Sequence, residues 1–319
     1  MQELSKKDDN VLWVFLHLQK SAGTTFNGHL YKHMTPEVDF IHVGSPWLTD
    51  SQRRKITPFE KRPLEQREKA RIITGHLAYY GIHSLVPGKT PRYITLIRDP
   101  AERLVTYYNG GDWGENQKVP SFFEWYKARR KNEMVNFYSS KFKGMKETAR
   151  IPLSLIKLNE KFPSPEKRIL WAKKLFKRFN YFKPKNKDSE LQDFENAKKM
   201  LELCWFVGIT ELDEDIGFLF KSIGVPHKEW TRYAMTGDTK TEQINPLHKK
   251  TEKRFKLDEE TRQKLYRENP LDFKLYQYAL ELNKKRKKEL LFSKDIIKNI
   301  EQRITNLKKY SPALESKEK

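Results

Sequence analysis

Cysteine, long apolar runs and metal-ligand motifs are almost or entirely missing from this sequence. The single cysteine, Cys204, cannot form an intramolecular disulfide and lies in the apolar stretch LELCWFVG, which predicts a buried strand. Paired Cys and His ligands do not occur, so we expect neither a metal site nor a redox pair. No apolar run approaches the ~20 residues that span a bilayer. The N-terminus lacks the apolar core of a signal peptide, and we therefore expect no membrane span.

Acidic residues are scarce relative to basic ones. Lys and Arg number 63 against 42 Asp and Glu, which gives a formal net charge of +21 over 319 residues. This excess implies an anionic partner, and nucleic acid, an anionic membrane surface, an acidic glycan or a nucleotide would each satisfy it. No recognised nucleic-acid motif is present, so we expect no nucleic-acid partner. A chain of this length can bury a large core in one extended domain or in two.

The segment HLQKSAGTTFN follows six apolar residues, Val11–Leu16, and predicts a strand, a tight loop and a helix start. Unpaired N–H groups at a helix N-terminus bind anions, and Gly23 allows the backbone to approach a ligand closely. Lys20 adds a positive charge, and Thr24 and Thr25 add two hydroxyls. Because the Lys precedes the Gly, this is not a Walker A motif, and an ordinary P-loop kinase is disfavoured. A strand-to-helix turn with a solvated Lys is the alternative.

The segment RYITLIRDPAERLVTYY predicts a strand, then Arg98, then a well-marked helix start. Asp99 at the N-cap, Pro100 at the first helical position and Glu102 at the third form a capping box. Arg98 then lies at the carboxyl end of a strand, where open parallel sheets bind ligands, and faces the same crevice as Lys20. The alternative is that Arg98 pairs with a nearby carboxylate.

The segment IITGHLAYYGIH predicts another short strand, which ends at Gly75 and His76. Imidazole titrates near neutral pH, so His76 is a candidate general base. A partly buried His76 hydrogen-bonded to backbone is the alternative. His17 is the nearest rival, but we expect it to pack in the core. His83 lies in a loop and is a candidate for shaping an acceptor site.

These three segments resemble the sulfotransferases that use 3'-phosphoadenosine-5'-phosphosulfate (PAPS), particularly the branch with the heparan sulfate 2-O- and 6-O-sulfotransferases. The resemblance implies an α/β, P-loop-like three-layer fold with a central parallel sheet, a helical insertion and C-terminal helices. It implies PAPS as co-substrate, PAP as product and no metal. It assigns catalysis to His76 and Lys20, and the 3'-phosphate to Arg98 and Thr106, where the family more often has Ser. It assigns the 5'-phosphosulfate to the loop residues Lys20, Ser21, Ala22, Gly23, Thr24 and Thr25.

Two later segments also resemble the family. In VGITELDEDIGFLF, Thr210 and Asp213 predict a capping box and Gly224 a helix stop, with an apolar face made of Leu212, Ile216, Leu219, Phe220 and Ile223. The segment INPLHKKTEKRFK precedes two helices predicted to begin near Asp258 and Asn269. In the family, the loop at this place closes over the nucleotide, which makes Lys250 and Thr251 donor-site candidates. A solvated charge run is the alternative.

We expect residues 1–282 to form a sulfotransferase domain. Within it, residues from about 110 to 200 form a basic, aromatic and helical insertion that shapes the acceptor site. Residues 283–319 form a basic C-terminal helix and tail. A heptad-like spacing there predicts a long helix that packs either on its own domain or on a second copy as a homodimer, through Leu290, Ile297, Ile300, Ile304 and Leu307.

The resemblance implies transfer of a sulfuryl group from PAPS to a hydroxyl of an acidic glycan, by in-line attack with His76 as base. A nucleotide-dependent kinase and a non-enzymatic basic nucleic-acid-binding protein are the alternatives. The lack of cysteine and of a signal peptide departs from the animal members, which are disulfide-rich, membrane-anchored Golgi enzymes. We therefore expect a cytoplasmic protein of bacterial origin, with a truncated Golgi enzyme as the second interpretation.

Overall fold

Five parallel strands form the centre of the molecule. The computed structural model describes residues 10–43, 59–110, 121–143, 186–226 and 255–311. The strands are β1 (Val11–Leu16), β2 (Phe40–His42), β3 (Ile72–Gly75), β4 (Thr90–Ile97) and β5 (Cys204–Ile209). Their order across the sheet is β2-β3-β1-β4-β5. Both β1 and Cys204 are buried, as predicted.

Ten helices accompany these strands in the described residues. They are α1 (Gly23–His33), α2 (Leu64–Glu68), α3 (Pro100–Asn109), α4 (Phe122–Lys127), α5 (Glu133–Phe142), α6 (Lys187–Glu202), α7 (Asp213–Ser222), α8 (Glu259–Glu268), α9 (Pro270–Glu289) and α10 (Lys294–Lys308). Among them, no helix is both long enough and apolar enough to cross a membrane.

The helices cover both faces of the sheet. Val11, Trp13 and Phe15 of β1 pack with α1 and α7 on one face. The intervening residues of β1 point to the opposite face, because side chains alternate along a strand, and they pack with α3–α6 and α8–α10. The predicted three-layer α/β fold with a central parallel sheet is therefore confirmed.

Three strands end together at one edge of the sheet. Leu16 at the end of β1 is paired with Gly75 at the end of β3 and, on the other side, with Thr95 near the end of β4. The residues that follow these strands, including His17, His76 and Arg98, therefore meet at the carboxyl edge, as the sequence predicted.

The start of α3 is only partly the predicted capping box. Asp99 is the N-cap, and its carboxylate accepts the N–H groups of Ala101 and Glu102 at 3.0 and 3.1 Å. The second half of the prediction, in which the Glu102 carboxylate accepts the Asp99 N–H in return, is wrong. Glu211 accepts the Asp99 N–H instead, at 2.9 Å, and Glu102 turns outward to Arg262 at 2.6 Å. A distant side chain, Glu211, therefore replaces Glu102 as the acceptor of the Asp99 N–H.

The predicted capping box of α7 is wrong. A turn at Thr210 and Glu211 follows β5, with the Leu212 N–H donating to the Ile209 carbonyl at 3.0 Å, so Leu212 occupies the N-cap position. Leu212 offers no side-chain cap. The stop is confirmed, since Gly224 has a φ of 76°, which favours glycine. The apolar face is confirmed for Ile216, Leu219, Phe220 and Ile223, which are buried in one cluster, whereas Leu212 is buried in the cluster on the other face of the sheet.

The C-terminal helices α8 and α9 follow Asp258 and Asn269 as predicted. The long helix expected after them is shorter, because Leu291 has a φ of 56° and α10 begins only at Lys294. Ile300 is fully buried in the core of its own chain. The predicted boundary after residue 282 stays a prediction, and it falls within α9.

The described parts of the predicted insertion are helical, in α4, α5 and most of α6. All three contribute to the core on the same face of the sheet. Helices α5 and α6 also pack against each other. Near the end of α5, the Lys141 carbonyl accepts the N–H of Tyr80, which lies in the segment after β3 that contains His76. The role of this region in binding an acceptor stays a prediction.

Candidate active site at the carboxyl edge of the sheet

The loop between β1 and α1 has the backbone form of an anion cradle. Lys20 and Ala22 have φ values of 64° and 55°, and Ala22 occupies the N-cap without providing a side-chain cap. The N–H groups of the first helical turn therefore lack the capping that usually satisfies them. Ser21 is fully buried, and its Oγ has no hydrogen-bond partner among the described residues. These donors suit a phosphate or sulfate group.

Gly23 is required at the start of α1 by close packing. A Cβ built at this position would lie 1.6 Å from Nε2 of His17, whose ring is buried. Any larger residue would displace the His17 ring or the loop. The sequence pointed to a close backbone approach to a ligand, and the structure adds a second reason for the glycine.

Lys20 is a partly buried cation at this edge. Its Nζ donates to the carbonyl of Gly110 at 3.2 Å and lies 5.6 Å from the ring centre of Tyr107. Among the described residues it forms no ion pair. Burial lowers its pKa. A lysine held this way, without a carboxylate, is available to an anionic ligand.

Arg98 follows β4 and reaches the same loop. Its Nη1 lies 3.5 Å from the carbonyl oxygen of Lys20, and its Nε has no partner within the described part of the chain. The alternative ion pair with a carboxylate is not found among these residues. Thr106 lies two turns along α3, and its carbonyl accepts the N–H of Gly110, next to the Lys20 contact. Lys250 and Thr251 lie outside the described residues.

His76 is partly buried and has a defined tautomer. Its Nδ1 lies 3.0 Å from the carbonyl oxygen of His17, an acceptor that requires a proton on Nδ1. Nε2 is then left with its lone pair. The alternative interpretation of the sequence is a His76 hydrogen-bonded to backbone, and this contact is such a bond. The same bond also fixes the orientation of the ring and leaves Nε2 able to accept a proton, as a general base requires.

The electrostatic surroundings keep His76 neutral. Burial lowers its pKa, and the charges of Lys141 and Lys20 lower it further, whereas the hydrogen bond to the His17 carbonyl raises it. Since an imidazole is neutral above its pKa, the ring can accept a proton at neutral pH.

The other histidines are placed differently. His17 is buried, with its ring 5.6 Å from Phe15 and 4.1 Å from His76, and burial lowers its pKa far below the ordinary value. It packs, as the sequence predicted. His83 is hydrogen-bonded to the hydroxyl of Tyr93 at 2.7 Å.

Sequence reasoning missed three residues at this edge: His42, Tyr107 and Lys141. The pKa of His42 is lowered to about 4, mainly by burial and then by His76, so it is a neutral neighbour. The described residues contain no group of three or more His, Cys, Asp or Glu side chains arranged to hold a metal ion. Nothing local in the sequence marks Lys141, which is 65 positions from His76.

We call the His17–Thr25 loop, His76 and Arg98 together the donor edge. A parallel α/β sheet with an uncapped helix start, a cation without a carboxylate partner among the described residues and a neutral imidazole at one edge is the arrangement expected of a transferase that takes a phosphorylated donor. The chain belongs to the sulfotransferase family, whose family model matches residues 4–279. It is therefore a PAPS-dependent sulfotransferase. The kinase and nucleic-acid alternatives are not favoured.

Several curated animal proteins are similar to this chain. Human heparan-sulfate 6-O-sulfotransferase 1 is 27% identical over 305 residues, which cover 88% of this chain and 67% of the relative. The Gallus gallus protein of the same name is 27% identical over 298 residues, covering 86% and 66%. Heparan-sulfate 6-O-sulfotransferase 1-B of Danio rerio is 25% identical over 302 residues, covering 88% and 67%. The chain thus matches about two thirds of each relative's length.

These relatives overturn one expectation. The expectation of a cytoplasmic protein of bacterial origin is wrong, because the similar proteins are animal heparan-sulfate sulfotransferases, a group of Golgi enzymes. Scarcity of cysteine misled the prediction, since cysteine content follows the need for disulfides as well as the compartment.

Proposed function

We propose that this enzyme transfers a sulfuryl group from PAPS to a hydroxyl of an acidic glycan of the heparan-sulfate type, with His76 as the base. The observation that carries the proposal is the hydrogen bond from His76 Nδ1 to the His17 carbonyl, at 3.0 Å. It fixes an imidazole with a free Nε2 directly beside the loop that contains Lys20.

The residues of the donor edge fit the two phosphate ends of PAPS. The buried Ser21 Oγ and the Arg98 Nε are polar atoms without partners among the described residues, and an anionic donor would satisfy both. The loop residues Ala22, Gly23, Thr24 and Thr25 would hold the 5'-phosphosulfate with Lys20. Arg98 would hold the 3'-phosphate, since a planar guanidinium suits bidentate phosphate binding, with Thr106 beside it. Lys250 and Thr251 stay predictions as further donor contacts.

PAPS supplies the sulfuryl group and leaves as PAP. His76 takes the proton of the acceptor hydroxyl at Nε2 as that oxygen bonds to sulfur. The bond between sulfur and the phosphate oxygen breaks, and its electron pair stays on the phosphate oxygen. Lys20 and the loop N–H groups stabilise the charge that develops there. This chemistry uses no metal ion.

The acceptor is proposed from charge and from the similar proteins. A net charge of +21 suits an anionic polymer, and the relatives are named for heparan sulfate and for the 6-O position. That position is accordingly the first to test. A homodimer through α10 stays a prediction, although the buried face of this helix already packs within its own chain.

A sulfate-transfer assay tests the proposal. Purified protein and PAPS are offered heparan sulfate, its desulfated forms, chondroitin and a simple phenol, and mass spectrometry locates the added sulfate. We expect transfer to the heparan-type chains, and transfer slowed by on the order of a hundredfold in Lys20→Ala. Transfer only to the phenol, or to no glycan in the panel, contradicts the proposed acceptor.

A further inference from the structure

Lys141, near the end of α5, contacts the backbone of His76. Its side chain is 2% exposed, and its Nζ donates to the carbonyl oxygen of His76 at 2.6 Å. In the other direction, the Tyr80 N–H donates to the carbonyl of Lys141 at 3.1 Å. Two hydrogen bonds of opposite sense therefore join α5 to the segment that carries His76.

The buried ammonium of Lys141 has no carboxylate to balance it within the described ranges. The nearby Asp193 of α6 instead binds the Ser139 hydroxyl at 2.6 Å and Lys143 at 2.7 Å. Burial lowers the pKa of Lys141 to about 8. A buried ammonium without a carboxylate disfavours the folded state, because burial removes its hydration. A methionine would fill the same space without this cost, so packing alone does not require a lysine.

We propose that Lys141 is a positioning residue for the reaction: its ammonium fixes the backbone at His76, and its positive charge keeps the His76 imidazole neutral and able to accept a proton. The inference rests on the proposed role of His76 as base. Lys141 itself touches neither the donor nor the acceptor in this account.

The groups that face His76 come from three elements. His17 and Lys20 belong to the loop after β1, His42 ends β2, and Lys141 belongs to α5. The pKa values of His17 and His42 are both lowered, so these rings carry no charge at neutral pH. Lys20 and Lys141 are the remaining charged groups among them. Once an anionic donor faces Lys20, the charge of Lys141 is the one left to act on His76.

The test compares Lys141→Met with Lys143→Met, which removes a charge two residues away that faces Asp193 instead of His76. The rate of transfer is measured from pH 5 to 9 with saturating donor. In Lys141→Met the pKa of His76 rises, so the acidic limb of kcat moves to higher pH. A movement of one unit lowers kcat about tenfold on that limb. The KM of Lys141→Met for PAPS stays unchanged. In Lys143→Met the acidic limb of kcat stays at its original pH.

Two further measurements keep the outcome clear. Thermal unfolding should show Lys141→Met at least as stable as the parent at pH 7, because a buried ammonium is removed. Lys141→Arg retains a charge at this place and should keep the limb near its original pH, which covers the case in which the Met variant fails to fold.

The two proposals fail in different ways. If His76→Ala removes the acidic limb but Lys141→Met leaves it unmoved with the fold intact, the role of Lys141 is wrong and the base stands. If Lys141→Met lowers only the unfolding temperature, its role is structural and the inference is also overturned. If His76→Ala keeps the limb, both proposals are wrong.

Discussion

The polar side chains of the donor edge differ from the side chains of the C-terminal helices α8–α10 that pack around Asp99 and Glu211. At the donor edge, Ser21 Oγ and Arg98 Nε lack partners among the described residues, and Lys20 lacks a carboxylate. We call α8–α10 the support layer. There, Tyr266 donates to Asp99, and Arg303 donates to Tyr276 at 2.9 Å. Unsatisfied donors suit a site that binds a charged ligand, whereas satisfied ones suit a scaffold.

The two regions meet at the residues around Arg98. Asp99 caps α3 and is held by the support layer, through the Tyr266 hydroxyl and Arg262 at 3.4 Å. Glu211 accepts the Asp99 N–H and also the Tyr276 hydroxyl, at 3.2 Å. The donor edge is thus left open for a ligand, whereas the backbone next to Arg98 is held in place by the support layer. Substitutions in the two regions should accordingly have different consequences.

The largest expected effect is at His76. His76→Ala should lower kcat by roughly a hundredfold to ten-thousandfold, because general-base assistance is lost, and should remove the rise of rate with pH. Since the ring acts in its neutral form, the rate of the parent should rise with pH through the pKa of His76, which burial lowers from its ordinary value in the enzyme without donor. Transfer kinetics over a pH series measure both.

His83→Ala is the matched control, because His83 bonds to Tyr93 and should leave the acidic limb in place. Calorimetry should find donor affinity retained in His76→Ala. Near-normal turnover in His76→Ala, with another histidine variant inactive, would show that His76 is not the base.

A smaller effect is expected at Lys20. Lys20→Ala should slow turnover by on the order of a hundredfold, since a charge that stabilises the leaving phosphate oxygen is removed. The control is Lys32→Ala, an exposed lysine in the last turn of α1. Steady-state kinetics with PAPS would show the loss mainly in kcat, and an unchanged kcat would mean that the loop was misinterpreted.

The smallest effect on turnover is expected in the support layer. Tyr266→Phe removes the hydroxyl that bonds to Asp99 and should lower the free energy of unfolding by about 1 to 3 kcal/mol. Because this residue is proposed to act only as scaffold, kcat should change little. Denaturant unfolding beside transfer kinetics checks both. A large loss of kcat in Tyr266→Phe with normal stability would contradict the proposal that the support layer acts only as scaffold.

Much of the donor edge could be predicted from the sequence because its parts are local. A buried strand, a glycine at a helix start and an N-cap aspartate each leave a short pattern, and the carboxyl edge of a parallel sheet brings such segments together. Arg98 and the Lys20 loop were placed beside each other on these grounds, and the structure joins them at 3.5 Å.

Residues brought in from distant segments could not be predicted. Glu211 is 112 positions from Asp99, and Lys141 reaches His76 only through the packing of α5 on the body. The predicted capping box of α3 failed for a related reason. Local patterns identify which group needs a partner, but tertiary packing decides which side chain supplies it, as Glu211 does in place of Glu102.

Calorimetry of adenosine-3',5'-bisphosphate binding tests most directly whether the donor edge holds both phosphate ends of PAPS. We expect this ligand to bind the parent and to stabilise the fold by about 2.7 kcal/mol at a hundredfold excess over its dissociation constant. Arg98→Ala should weaken binding, since a charged hydrogen-bonding contact is lost, whereas Lys141→Met should not. ATP with Mg²⁺ should bind much less well. Tighter binding of ATP, or undiminished binding by Arg98→Ala, would contradict the account.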